Sequence, residues 1–129
     1  MILPVSAAHP IEGVWLPVKA EFDGVAAPEL VVARTEFTVS AGAYKVRFAG
    51  EIHDHGRYEL ASTAEEETHL RIILTSTHRE THGRILASIY QLTGNRLRIC
   101  YGLDGVTPDA FATMLDSRRY LVTYRRSSP

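Results

Sequence analysis

A chain of 129 residues, 45% hydrophobic and 22% charged, has the size and balance of a single globular domain whose core needs no cross-links. Its 14 basic and 15 acidic residues leave a net charge of -1 with no cationic arm or stripe, which argues against a nucleic-acid partner held through phosphates. A single cysteine, Cys100, excludes an internal disulfide framework, and its place in the alternating run "RLRIC" marks a packed thiol.

The opening "MILPVSAAHP" has no basic leading segment, and its apolar run is short and broken by proline, unlike a translocated leader. No window reaches the apolar length of a membrane span, so no membrane partner is expected. The expectation is a cytoplasmic protein with a flexible arm over residues 1–10 and one domain over 11–129.

The dominant signal along the chain is alternation of apolar and polar residues, with turn residues at short intervals. A first strand runs through "IEGVWLPVKAEF". "DGVAAPEL" opens a connection in which "APELVVAR" forms a short helix. "RTEFTV" and "YKVRF" are strands joined by the turn "SAGA". The "AGE" segment leads into "IHDHGRYELAS", and the polar run "TAEEET" into "HLRIILTST". "RILASIYQL" and "RLRICYG" form a hairpin across "TGN", whose glycine tolerates positive φ. A long connection, "LDGVTPDAFATMLDS", precedes the last strand, "RRYLVTYRR".

Eight short strands with mostly tight connections suit an all-β, eight-stranded antiparallel up-and-down barrel, which removes exposed strand edges; a sandwich stays an open alternative, because alternation alone does not fix closure. The barrel interior holds side chains or one small ligand. If every strand reverses direction, both long connections, "IHDHG" and "THRETHG" collect at one loop-rich end, while "SAGA", "TAEEET" and "TGN" turn tightly at the other.

Gly13 and Trp15 in "IEGVWLPVKAEFDG" stand as in the Gly-x-Trp entry of lipocalins. The run "GRYEL … ILASIYQLTGNRLRICYG … RRYLVTYRR" resembles a bacterial lipocalin-like domain family, with its G-x-Y-x-L strand and I-Y-x-L-x-G-x-x-L-R-I-C hairpin. The resemblance spans roughly Ile11 to Arg126. It implies a lipocalin-like barrel with a short helix in one or two long loops, and it brings no catalytic motif or cofactor. It also implies that Trp15 closes the narrow end with Arg125 or Arg126 across its ring.

Parity assigns the inner face. Tyr44, Val46 and Phe48 point in, as do Tyr58 and Leu60, then Leu70, Ile72 and Leu74. Leu86, Ser88, Tyr90 and Leu92 follow, and then Leu97, Ile99 and Tyr101. Tyr58, Tyr90, Tyr101 and Ser88 are therefore expected to line a cup, because a dry hydrocarbon core has no need of hydroxyls; the alternative is that the three tyrosines only cap the core at its wet end. Extending the alternation towards the loop-rich end brings in Arg84, His82, His78 and Glu21. Arg84 would meet the polar end of a ligand, a carboxylate for example; the alternative is an Arg84–Glu21 salt bridge at a solvated rim.

His53 and His55 stand two apart, as do His78, Glu80 and His82, and His-x-His is a workable ligand spacing. His53, His55, His78 and His82 are thus candidate ligands of a divalent metal such as zinc, iron or nickel. Parity opposes this, since Tyr58 inward turns His53 and His55 outward unless the strand bulges near Gly56. Without metal, His78 or His82, helped by Glu21, would serve as a general acid or base. His9 and His69 read as surface residues.

The first functional reading is a barrel that binds a small apolar or amphipathic molecule. The alternative is a small enzyme, a cyclase, isomerase or hydrolase, using the rim histidines. The third is an interaction domain with a filled core. Scaffold alone does not choose among them, and the pattern does not separate monomer from homodimer.

Overall fold

The structure, a computed structural model, describes residues 9–61 and 70–127. Nine strands and one helix follow in order: β1 (Gly13–Phe22), β2 (Val25–Ala26), α1 (Glu29–Arg34), β3 (Thr35–Ser40), β4 (Ala43–Phe48), β5 (Glu51–Ala61), β6 (Leu70–Ser76), β7 (Ile85–Thr93), β8 (Arg96–Gly102) and β9 (Arg119–Arg126). Each of β1 and β3 to β9 pairs antiparallel with the next, and β1 pairs back with β9, which closes an eight-stranded up-and-down barrel. β2 is a short hairpin return on the end of β1. Among the described residues the one helix lies in the first long connection, as "APELVVAR" predicts; the second long connection has none. No helix among the described residues is long and apolar enough to cross a membrane. His69 and the "TAEEET" connection lie outside the described residues.

Closure buries the apolar face that the alternation creates. Ile72, Leu74, Leu86, Leu97, Ile99 and Val122 are buried inside, each from a strand whose intervening residues face out. Burying an aliphatic side chain of this size contributes about 1.5–3 kcal/mol, so this inner layer is the main source of stability. The hairpin Ala41–Gly42 turns with both residues at positive φ (50° and 83°), the geometry that matches the twist of paired strands.

One end is sealed. Trp15 is fully buried, and its indole Nε1 donates to the Ile11 carbonyl at 2.8 Å. The Arg126 guanidinium lies 4.3 Å over the Trp15 ring and donates to the carbonyls of Glu12 (2.8 Å) and Pro10 (2.7 Å). Arg126, not Arg125, takes this place because Tyr120, Val122 and Tyr124 set the inward parity of β9. The expected arm at 1–10 is therefore tied down at its last residues; residues 1–8 lie outside the described part.

Two register shifts alter the expected parity. On β1, Pro17 pairs with Tyr124 and Lys19 with Thr123, so Val18 is an extra residue. Beyond this bulge Ala20 faces in and Glu21 faces out. On the β4–β5 ladder, Val46 pairs with Asp54 and Arg47 with Ile52, which makes His53 the bulged residue. The ladder stays regular at Gly56, where a bulge would have been needed to turn His55 inward, because Gly56 pairs directly with Tyr44 and Ser76.

The long connection 103–118 folds down the outside of the barrel. Phe111 lies under the Arg98 guanidinium at 4.3 Å, Arg119 pairs with Asp109 at 2.9 Å, and the Ala112 carbonyl faces the buried Cys100 sulfur. Burial raises the Cys100 thiol, which stays a packed and protonated group.

Candidate functional site: a cavity with a charged mouth

A cavity of about 600 Å³ occupies the barrel above the Trp15 seal and is lined at the far end by Thr35, Phe48, His53, Thr81, Arg84 and Leu103. That volume lies within the usual range for small-molecule pockets, about 300–1,000 Å³. The opening is the loop-rich end, where β1–β3, β4–β5, β6–β7 and β8–β9 are connected. Residues 53–55 and 76–84 meet there: the Thr77 amide donates to the His55 carbonyl at 2.8 Å.

Aromatic rings form much of the wall. Phe37 stacks on Tyr124 at 5.4 Å between centroids, and Tyr101 stacks on Tyr120 at 6.0 Å. The Tyr101 and Tyr124 hydroxyls are 2.8 Å apart and share a hydrogen bond. Burial pushes both phenols above their ordinary range, so both stay protonated near neutral pH.

The polar centre is Asp54, only 7% exposed on the inner face of β5. Its carboxylate accepts four hydrogen bonds. Ser76 Oγ (2.6 Å) and Thr81 Oγ1 (3.1 Å) donate to Oδ1, while Tyr44 Oη (2.9 Å) and Arg84 Nη2 (3.0 Å) donate to Oδ2. Burial alone would raise the carboxyl; the bonds from Ser76, Tyr44 and Thr81 and the Arg84 charge outweigh it and hold the group below its usual range. Burial, then the Asp54 bond and charge, push the Tyr44 phenol up. Asp54 is thus a locked anion and a poor proton acceptor near pH 7.

The sequence-predicted residues divide. Tyr101, Arg84 and His53 line the cavity. Tyr90 and Ser88 are buried but do not line it; Ser88 Oγ bonds the Leu86 carbonyl of its own strand at 3.3 Å. Tyr58, beside the Gly42 turn near the sealed end, is also absent from the lining. Glu21 leaves the interior because of the Val18 bulge, and its Oε1 accepts from Thr113 Oγ1 at 2.8 Å on the outer surface. The histidines separate as well. His53 packs edge-on against Phe48 at 5.6 Å, brought to the cavity by the bulge. His55 keeps outward parity, contacts Thr77 Oγ1 at 3.1 Å, and meets the His78 ring edge-on at 5.0 Å. His82 is exposed in the 77–83 turn, which breaks the alternation that would have turned it inward. Among the described residues no three His, Cys, Asp or Glu side chains converge in a way that would hold a metal ion.

Asp54, Ser76, Thr81, Tyr120 and Tyr124 belong to the candidate site but lie outside the expected set. Asp54 was legible, since the alternation that turns Tyr58 inward also turns Asp54 inward. Tyr120 and Tyr124 follow by the same rule from Val122. Thr81 had no signal, because it sits in an irregular turn.

No protein-family model matches the chain, and no curated protein or solved structure does either.

Proposed function

We propose that the barrel binds a small amphipathic acid, its apolar body in the aromatic cup and its anionic group against Arg84. The observation that carries this reading is the state of Arg84. One nitrogen is committed to Asp54, the side chain is 45% exposed at the mouth, and among the described residues Nε and Nη1 have no partner. A guanidinium oriented by a buried carboxylate keeps a free face on which a ligand carboxylate can make paired charge-assisted bonds. The cavity volume and its predominantly apolar lining suit a body of drug-like size. Binding through Arg84 is supported because Asp54 is saturated by donors and the expected acid–base residues His78, His82 and Glu21 are absent from the lining; His53 and Glu80 share the lining with Arg84.

The test is calorimetric titration with decanoate, decanol and decylamine. Decanoate should bind best, and Arg84→Gln should weaken it by about 10- to 100-fold, the worth of a hydrogen bond to a charged group. Equal binding of acid and alcohol, or an unaffected Arg84→Gln variant, would refute the assignment.

A further inference from the structure

Hydrogen-bond arithmetic at the Tyr101–Tyr124 pair leaves a donor over. Each phenol carries one proton, and a phenol oxygen both donates and accepts. One proton makes the 2.8 Å bond between the two oxygens; the other has no acceptor among the described residues. Both side chains are nearly buried, at 6% and 4% exposure, and both line the cavity. The nearby Tyr44 hydroxyl is committed as a donor to Asp54. A buried polar hydrogen without a partner is costly, and a hydroxyl rotates freely enough to aim it at whatever occupies the cup. Burial keeps both phenols protonated, so this group presents a donor and never a phenolate.

Around that donor the wall is made of rings. Phe37, Tyr44, Tyr101, Tyr120 and Tyr124 line the cavity, with two stacked pairs and one tilted pair among them. Ring faces and edges reward a flat, polarisable guest more than a flexible alkyl chain, which must also surrender its rotational freedom.

We infer that the ligand is a flat, ring-bearing acid with a second acceptor oxygen, a carbonyl or an ether, on its ring body. That oxygen takes the surplus proton of the Tyr101–Tyr124 pair while the acid group meets Arg84. This inference rests on the proposed acid binding and adds the ligand's ring body and second polar group.

Three probes compared by calorimetry test it: naphthalene carboxylate, the same acid with a methoxy or acetyl oxygen on the far ring, and decanoate. The oxygen-bearing acid should bind roughly 3- to 10-fold more tightly than plain naphthalene carboxylate, the usual worth of one net hydrogen bond. Both ring acids should bind more tightly than decanoate. The double variant Tyr101→Phe/Tyr124→Phe removes both hydroxyls, keeps both rings and orphans no donor. It should abolish the advantage of the oxygen-bearing acid over the plain one, whatever it does to the affinity of either acid alone. An oxygen-bearing acid no tighter than the plain one in the unmodified protein overturns the inference, whether or not the double variant folds. So does decanoate binding as tightly as the ring acids. If no acid binds, or if binding ignores Arg84→Gln, the acid-binding reading itself fails. If acids bind through Arg84 with no preference for ring or oxygen, only the present inference falls.

Discussion

Replacing Asp54 probes the wall of the cavity most directly. In Asp54→Ala, Tyr44 Oη, nearly buried on β4, loses the carboxylate it donates to, and Arg84 loses its tether. Ser76 and Thr81, 2.7 Å apart, then turn a hydroxyl proton to each other instead. One orphaned buried hydroxyl costs about 1–3 kcal/mol, and the lost charge-assisted bond from Ser76 adds a comparable amount, partly offset by the Ser76–Thr81 contact. The half-exposed Arg84 pair adds little, since solvent screens it. The net loss should be about 2–4 kcal/mol, or a fall of roughly 7–14 °C in Tm for a chain of this length. Asp54→Asn should lose about half as much, because its carbonyl still accepts from Tyr44 and its amide can donate to Ser76. The pH dependence has a definite sign. Asp54 lies below its ordinary value of 3.8, so its contribution is full above that value and declines as pH falls through the lower folded value. Thermal melts of the three proteins from pH 7 down to pH 2 provide the assay. A Tm change under about 2 °C in Asp54→Ala at pH 7, or an Asn variant as unstable as the Ala one, would refute the account of a saturated carboxylate.

Three further substitutions test the fold that carries this wall. A Cβ at Gly56 would fall against the Thr75 carbonyl oxygen and lie 2.9 Å from Ser76 Cα, so Gly56→Ala forces β5 from β6. It should cost about 3 kcal/mol or more, and a variant melting within a few degrees of the parent contradicts the close approach. Arg126→Ala removes the bonds to Glu12 and Pro10 and the cover of Trp15; about 2–3 kcal/mol should be lost, with decanoate affinity unchanged because the change is at the sealed end. Weaker ligand binding in this variant would tie the two ends together, contrary to expectation. Ala41 holds φ at 50° in an exposed turn, so Ala41→Asn should stabilise by about 0.5–1 kcal/mol, read as a small rise in the urea midpoint; a lower midpoint would contradict the left-handed turn.

Much of this molecule was written in local pattern. Alternation in "YKVRF", "RILASIYQL" and "RRYLVTYRR" assigns each side chain to a face, because successive residues of an extended strand point oppositely whatever surrounds them. The same rule aims Arg84 into the mouth and Arg126 across the sealed end. What alternation cannot carry is a change of phase. The extra residues Val18 and His53 are fixed by the register of neighbouring strands, and each shift re-aims the side chains beyond it: Glu21 leaves the cup and His53 enters its lining. The partners of Asp54 lie 10, 22, 27 and 30 residues away along the chain, so only barrel closure and the path of the 77–83 turn bring their donors to one carboxylate. Sequence sets which face a residue belongs to, through backbone geometry that is local; the tertiary structure decides which faces meet, because pairing across strands is a property of the closed sheet.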